Sequence, residues 1–154
     1  MPPRLIAAVA LAALGACATV ANEDAPDAVA TLSEPVFRCK VEPILVRDCS
    51  YTGCHGIRSA ALRVFSPGKL RRDPAPTLDD RIKTMTDAEH HDNYLSAAGF
   101  TFGGVAPDDN WLVRKPLPVN AGGYGHKGGA IFSGTDDPRV VAIKGWLAGT
   151  GSCP

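Results

Sequence analysis

Apolar positions fall into four blocks along the chain, separated by long polar stretches rich in glycine and proline. The first is an unbroken run from Leu5 to Leu14 behind Arg4, about half the length that spans a bilayer. In the second, Val41, Ile44 and Leu45 lie at helical spacing, with Pro43 suited to a first turn, which predicts a helix near 42–49. The third begins at Thr86-x-x-Glu89, a capping box opening a helix near 87–98 through Tyr94 and Leu95. In the fourth, Asp136 or Asp137 caps a helix starting at Pro138. Val140, Val141, Ile143, Trp146 and Leu147 give it a periodic face, and Gly149 and Gly151 end it near 148. Short strands are expected near Leu62–Phe65 or Ala130–Phe132. The stretch Arg58–Asp80 is basic and proline-rich and is assigned no element. The pattern predicts a mostly α, loop-rich fold.

Composition narrows this. A chain of 154 residues suits one domain with a modest core. Lys+Arg and Asp+Glu both number 16, so there is no basic excess to attract nucleic acid, and none is expected as a partner. With Gly at 16 and Pro at 13, long loops are expected between the helices.

The first block is set aside as a targeting segment. Its end, Leu14-Gly15-Ala16-Cys17, resembles a bacterial lipoprotein signal. That resemblance implies cleavage after residue 16 and lipid on Cys17, with Ala18, rather than Asp, favouring the outer membrane. An ordinary secretory peptide cut near Ala16 or Ala18 is the alternative. Either reading exports the chain. Residues 17–34, rich in Ala, Asp, Glu and Pro, read as a flexible tether, and 35–154 as the folded domain.

Export changes the meaning of the cysteines, because free thiols are unusual in an oxidising compartment. Beyond Cys17 remain Cys39, Cys49, Cys54 and Cys153. Cys49 and Cys54 can close a local disulfide, pair with distant cysteines, or bind zinc with His55 and another histidine. A fourth reading follows from His55, which stands directly after Cys54. Two thiols can add to the two vinyl groups of haem, and the next residue then presents an imidazole to the iron.

The segment Cys49-Ser50-Tyr51-Thr52-Gly53-Cys54-His55-Gly56 resembles the C-x4-C-H variant of the haem site in bacterial c-type cytochromes. It has four residues between the cysteines where the common site has two. Gly53 is expected to help the extra residues bulge outward. The resemblance extends through Phe37, Val41, Pro43, Ile44 and Leu45, a helix leading into the attachment loop. It implies a cytochrome c-like domain with one covalent haem c, Cys49 and Cys54 as thioethers and His55 as proximal ligand. The terminal helices of that fold pack together, which would bring Cys39 and Cys153 within bridging distance. For the distal position, His126 lies in a glycine-rich loop before the last helix. It sits in a segment resembling the K-P … H-x-G-G-x-x-F stretch of some exported single-haem domains. Met85 is the alternative ligand, while His90 and His91 read as surface residues.

The function these readings imply is electron transfer, at low potential if both ligands are histidines. The chain is expected to be a carrier or electron-transfer subunit rather than an enzyme. It would sit in the periplasm on a lipid anchor and serve redox protein partners. The rival is a haem-free lipoprotein with two disulfides, acting as an interaction or structural subunit.

Overall fold

Residues 32–101 and 105–154 are described by the computed structural model; the signal segment, Cys17 and the tether up to residue 31 lie outside them. The described residues are helical and loop-rich, with no strand among them. No helix among them is long and apolar enough to cross a membrane.

Glu34 to Asp48 form one helical rod in three parts: α1 (Glu34–Val36), a π-helical turn (Phe37–Val41) and α2 (Glu42–Asp48). The Ser33 hydroxyl caps its start by accepting from the Val36 amide. Pro43 explains the wide turn. Proline has no N–H to donate and its ring crowds the carbonyl four residues back. The π-turn, in which the Glu42 amide reaches the Phe37 carbonyl, absorbs both defects without ending the rod.

Four further α-helices follow the sequence signals closely or fill the gaps between them. The capping box at Thr86 and Glu89 is present and opens α4 (Asp87–Ala98), after a short α3 (Leu78–Ile82) that the pattern did not suggest. A single turn, α5 (Trp111–Arg114), is capped by Asn110. The last helix, α6 (Pro138–Leu147), is capped by Asp137 rather than Asp136.

The core lies where the rod, α4 and α6 meet. Phe37 packs its ring against Tyr94 of α4 and Trp146 of α6, with centroids 5.8 and 5.3 Å away. Val41, Ile44, Leu45, Val140 and Ile143 fill the space around this aromatic trio. The polar ends of the same rings reach back to the start of the fold. The Tyr94 hydroxyl donates to the Leu32 carbonyl and the Trp146 indole N–H to the Ser33 carbonyl. These two bonds tie Leu32 and Ser33 onto the core. A disulfide joins Cys39 to Cys153 across 114 residues. Closing a loop of that length is worth about 4–5 kcal/mol in the chain-entropy account.

The strand expected near 62–65 is absent for a specific reason. Its backbone is bonded to side chains of α4 instead of to another strand. The Arg63 amide donates to the Ser96 hydroxyl, while Asn93 accepts from the Phe65 amide and donates to the Phe65 carbonyl. Near 130–132, the Ile131 and Phe132 amides both converge on the Pro116 carbonyl, which leaves no ladder to extend.

The unassigned stretch 58–80 is organised by one side chain. Arg71 makes a two-pronged ion pair with Glu89, itself 2 % exposed. It also donates to the carbonyls of Asp80, Arg81, Lys83 and Thr84. One arginine thus ties α3 and the irregular chain before it to α4.

Candidate functional site

The rod ends at Cys49, and the loop that follows is built on Ser50. Ser50 is fully buried, and its hydroxyl donates to the Val46 carbonyl. Lys69 fixes it from outside: its ammonium donates to that carbonyl and to the Ser50 hydroxyl, and lies 3.8 Å from the centre of the Tyr51 ring. The loop then turns back, with the Cys54 and Gly56 amides donating to the Tyr51 carbonyl and the His55 amide to the Cys49 carbonyl.

Glycine is required in this loop at a different place from the one expected. Gly53 has ordinary backbone angles and open space around it. At Gly56 a Cβ would lie 2.0 Å from the Ser50 carbonyl oxygen. Gly56→Ala is therefore expected to displace the loop and destabilise the protein by about 2–3 kcal/mol. That should lower the melting temperature by roughly 5–10 °C, whereas Gly53→Ala should leave it nearly unchanged. Thermal unfolding of the two variants side by side checks this.

The loop forms one wall of a cavity of about 600 Å³, a volume within the usual range for a small-molecule or cofactor site. Cys49, Cys54 and His55 line it, and His126 and Lys127 face them from the glycine-rich loop. Leu45, Leu112, Phe100, Ile131 and Phe132 supply apolar surface between these two walls.

The rings of His55 and His126 are within 11° of parallel, with centroids 5.9 Å apart. Both rings line the cavity, so the two imidazoles are presented to the same space. Each ring is oriented by the main chain. His55 Nδ1 lies 2.8 Å from the Leu62 carbonyl and His126 Nδ1 3.1 Å from the Gly129 carbonyl. A carbonyl only accepts, so Nδ1 carries the proton in both rings and Nε2 keeps the free lone pair. This outer hydrogen bond is the one that orients ligating histidines. Burial pushes the His55 imidazole below its ordinary value, the Leu62 carbonyl opposes this, and His126 lowers it further. His55 is thus kept neutral and able to donate its lone pair.

Cys39 and Cys153 consume each other in the disulfide, while Cys49 and Cys54 are free thiols. Burial, with smaller contributions from Asp48 and Cys54, pushes the Cys49 thiol up to about 12. Cys54 is exposed. A thiol alkylator should label Cys54 at least about ten times faster than Cys49, because the thiolate is the nucleophile. Peptide mass spectrometry over a labelling time course measures the ratio; equal rates would contradict the difference in burial.

The other candidates lie elsewhere. The Met85 sulfur faces the Asn93 amide and Met85 is not part of the cavity wall. His90 and His91 are paired with Glu42 and Glu34 on the rod. The zinc arrangement left open by the sequence is not assembled: among the described residues, no group of three or more His, Cys, Asp and Glu side chains is placed to hold a metal ion. Sequence reasoning missed Lys69, which had no signal, and the role of Leu62, whose carbonyl fixes the His55 ring. Gly56 was legible only as the residue after His55.

No family model, curated protein or solved structure matches this chain.

Proposed function

We propose that this protein is an exported, lipid-anchored c-type cytochrome with a cytochrome c-like fold, transferring electrons through one covalent haem. The observation that carries the reading is the pair of parallel imidazoles across the cavity, both with Nδ1 committed to carbonyls, beside two free thiols. The residues fit the group. Cys49 and Cys54 would hold it as thioethers, His55 as proximal and His126 as distal ligand.

Haem would supply a one-electron redox centre. The chain's own work is to hold and insulate it. The carbonyls of Leu62 and Gly129 keep each ring in the ligating tautomer. Leu112, Ile131 and Phe132 exclude water from the cavity wall. Lys69 and Gly56 fix the loop that spaces the two thiols. Histidine on both sides favours a low reduction potential relative to a methionine-ligated site. The free thiols favour this reading over the two-disulfide alternative. Export and the lipid on Cys17 rest on the sequence signal, and redox proteins are the partners that such a carrier requires.

The test is an absorption spectrum of protein made in a host that attaches haem c. A Soret band that stays with the protein through acid-acetone extraction is expected; a colourless protein refutes the assignment. His126→Ala should convert a low-spin spectrum to high-spin. If the spectrum does not change, His126 is not a ligand.

A further inference from the structure

The segments carrying the two histidines are fastened very differently. His55 is held at its amide by the Cys49 carbonyl, at its carbonyl by the Val64 amide and at its ring by Leu62. His126 belongs to residues 125–130, whose two ends stand on one short stretch of chain. The Tyr124 amide donates to the Arg114 carbonyl on one side, and the Ile131 and Phe132 amides to the Pro116 carbonyl on the other. The first end is fixed further at Gly123, where a Cβ would lie 2.0 Å from the Leu117 carbonyl oxygen. Between these anchors the hydrogen bonds of residues 125–130 are internal to the turn. The Gly129 amide donates to the His126 carbonyl at 2.8 Å, and the His126 ring to the Gly129 carbonyl at 3.1 Å. Gly125 and Gly129 have open space around them, and residues 127–130 are exposed.

Resting on the haem assignment above, we propose that His126 is a dissociable ligand, and that this protein binds small neutral lone-pair donors such as carbon monoxide in its place. The turn 125–130 moves as a unit about its two anchors and takes the imidazole with it. Its internal hydrogen bonds survive the motion, so no hydrogen bond to the rest of the domain is lost. The step is a substitution: the bond from His126 Nε2 breaks, the lone pair of the incoming donor forms its replacement, and no electron or proton is transferred. Phe100, Leu112, Ile131 and Phe132 on the cavity wall offer no compensation for stripping water from an anion, which favours neutral ligands. The Lys115 ammonium lies 5.5 Å from the centre of the Trp111 ring, the Asp48 carboxylate shares the cavity wall, and Lys127 leaves with the turn.

Mixing the reduced, haem-loaded protein with carbon monoxide tests this. The wild type should shift its Soret band at a rate that levels off with rising carbon monoxide, because loss of His126 becomes limiting. His126→Ala should bind at a rate linear in carbon monoxide and at least ten times faster at saturation of the wild-type rate. A wild-type spectrum unmoved by saturating carbon monoxide overturns the proposal while leaving the haem assignment standing. Linear wild-type kinetics equal to those of His126→Ala also overturn it, since His126 would then not occupy the position. A colourless protein overturns the haem assignment and this inference together.

Discussion

Replacing both Cys49 and Cys54 by serine is expected to leave a protein that releases all its haem into acid-acetone, while the wild type retains it. Serine nearly preserves side-chain size, so the cavity wall and the buried Ser50 beside it should be undisturbed. A hydroxyl does not add to a vinyl group as a thiol does, so only the covalent link is lost. His55 and His126 keep their carbonyl partners in this variant and, on the proposed assignment, would still hold haem non-covalently. Each single variant should retain haem through one thioether, with the α-band of its pyridine haemochrome moved to longer wavelength. Haem that resists extraction from the double variant would show that attachment does not use these thiols. The Cys39–Cys153 bridge provides the contrast: its removal should cost stability without releasing haem.

Arg71→Ala should be the most damaging single substitution outside the cavity, lowering unfolding free energy at pH 7 by about 3–5 kcal/mol. The loss comes from leaving the Glu89 carboxylate buried without its partner, and from freeing the four carbonyls that Arg71 gathers. Burial alone would raise the pKa of Glu89. The Arg71 guanidinium and the Arg72 and Thr86 amides outweigh it and hold the group at about 2. A carboxylate depressed in the folded state contributes stability that is full above its unfolded value of 4.5 and is lost as pH falls towards 2. In Arg71→Ala the guanidinium is removed while burial and the Arg72 and Thr86 amides remain, so most of that contribution disappears. The gap between wild type and variant should therefore narrow from pH 7 to pH 3. Urea unfolding at the two pH values measures it; a gap that stays constant would mean Glu89 is not the group responsible.

The helices that declared themselves in the sequence did so through caps. Thr86 with Glu89, and Asp137 with Pro138, set the starts of α4 and α6 within the spacing of their apolar residues. The rod was legible only in its second half. Residues 34–41 hide their helix because Pro35 and Pro43 bracket a turn of π geometry, which has no period that a 3.6-residue pattern would reveal. The stretch 58–80 was illegible because it is ordered by Arg71 reaching across to a distant helix, and no local pattern encodes such a reach. At 62–65, Ser96 and Asn93 take the places a neighbouring strand would fill. At the site, the residue types next to Cys54 pointed to the cavity, and the glycine-rich context of His126 to its opposite wall. Lys69, the tie on the loop that follows Cys49, comes from a region with no periodic signal.

The rod from Glu34 to Asp48 also fixes a distance. Fifteen helical residues rise about 20 Å, so the place where the chain enters the domain and the place where it offers its thiols are at opposite ends of one strut. The carboxyl terminus returns to the first of these ends, where the Cys153 sulfur lies 3.3 Å from the Pro35 carbonyl. Leu32 and Cys153 therefore lie near one end of the rod, and Cys49 with the cavity it lines lies at the other. A fusion partner joined after Pro154 would therefore sit at the end of the rod away from Cys49.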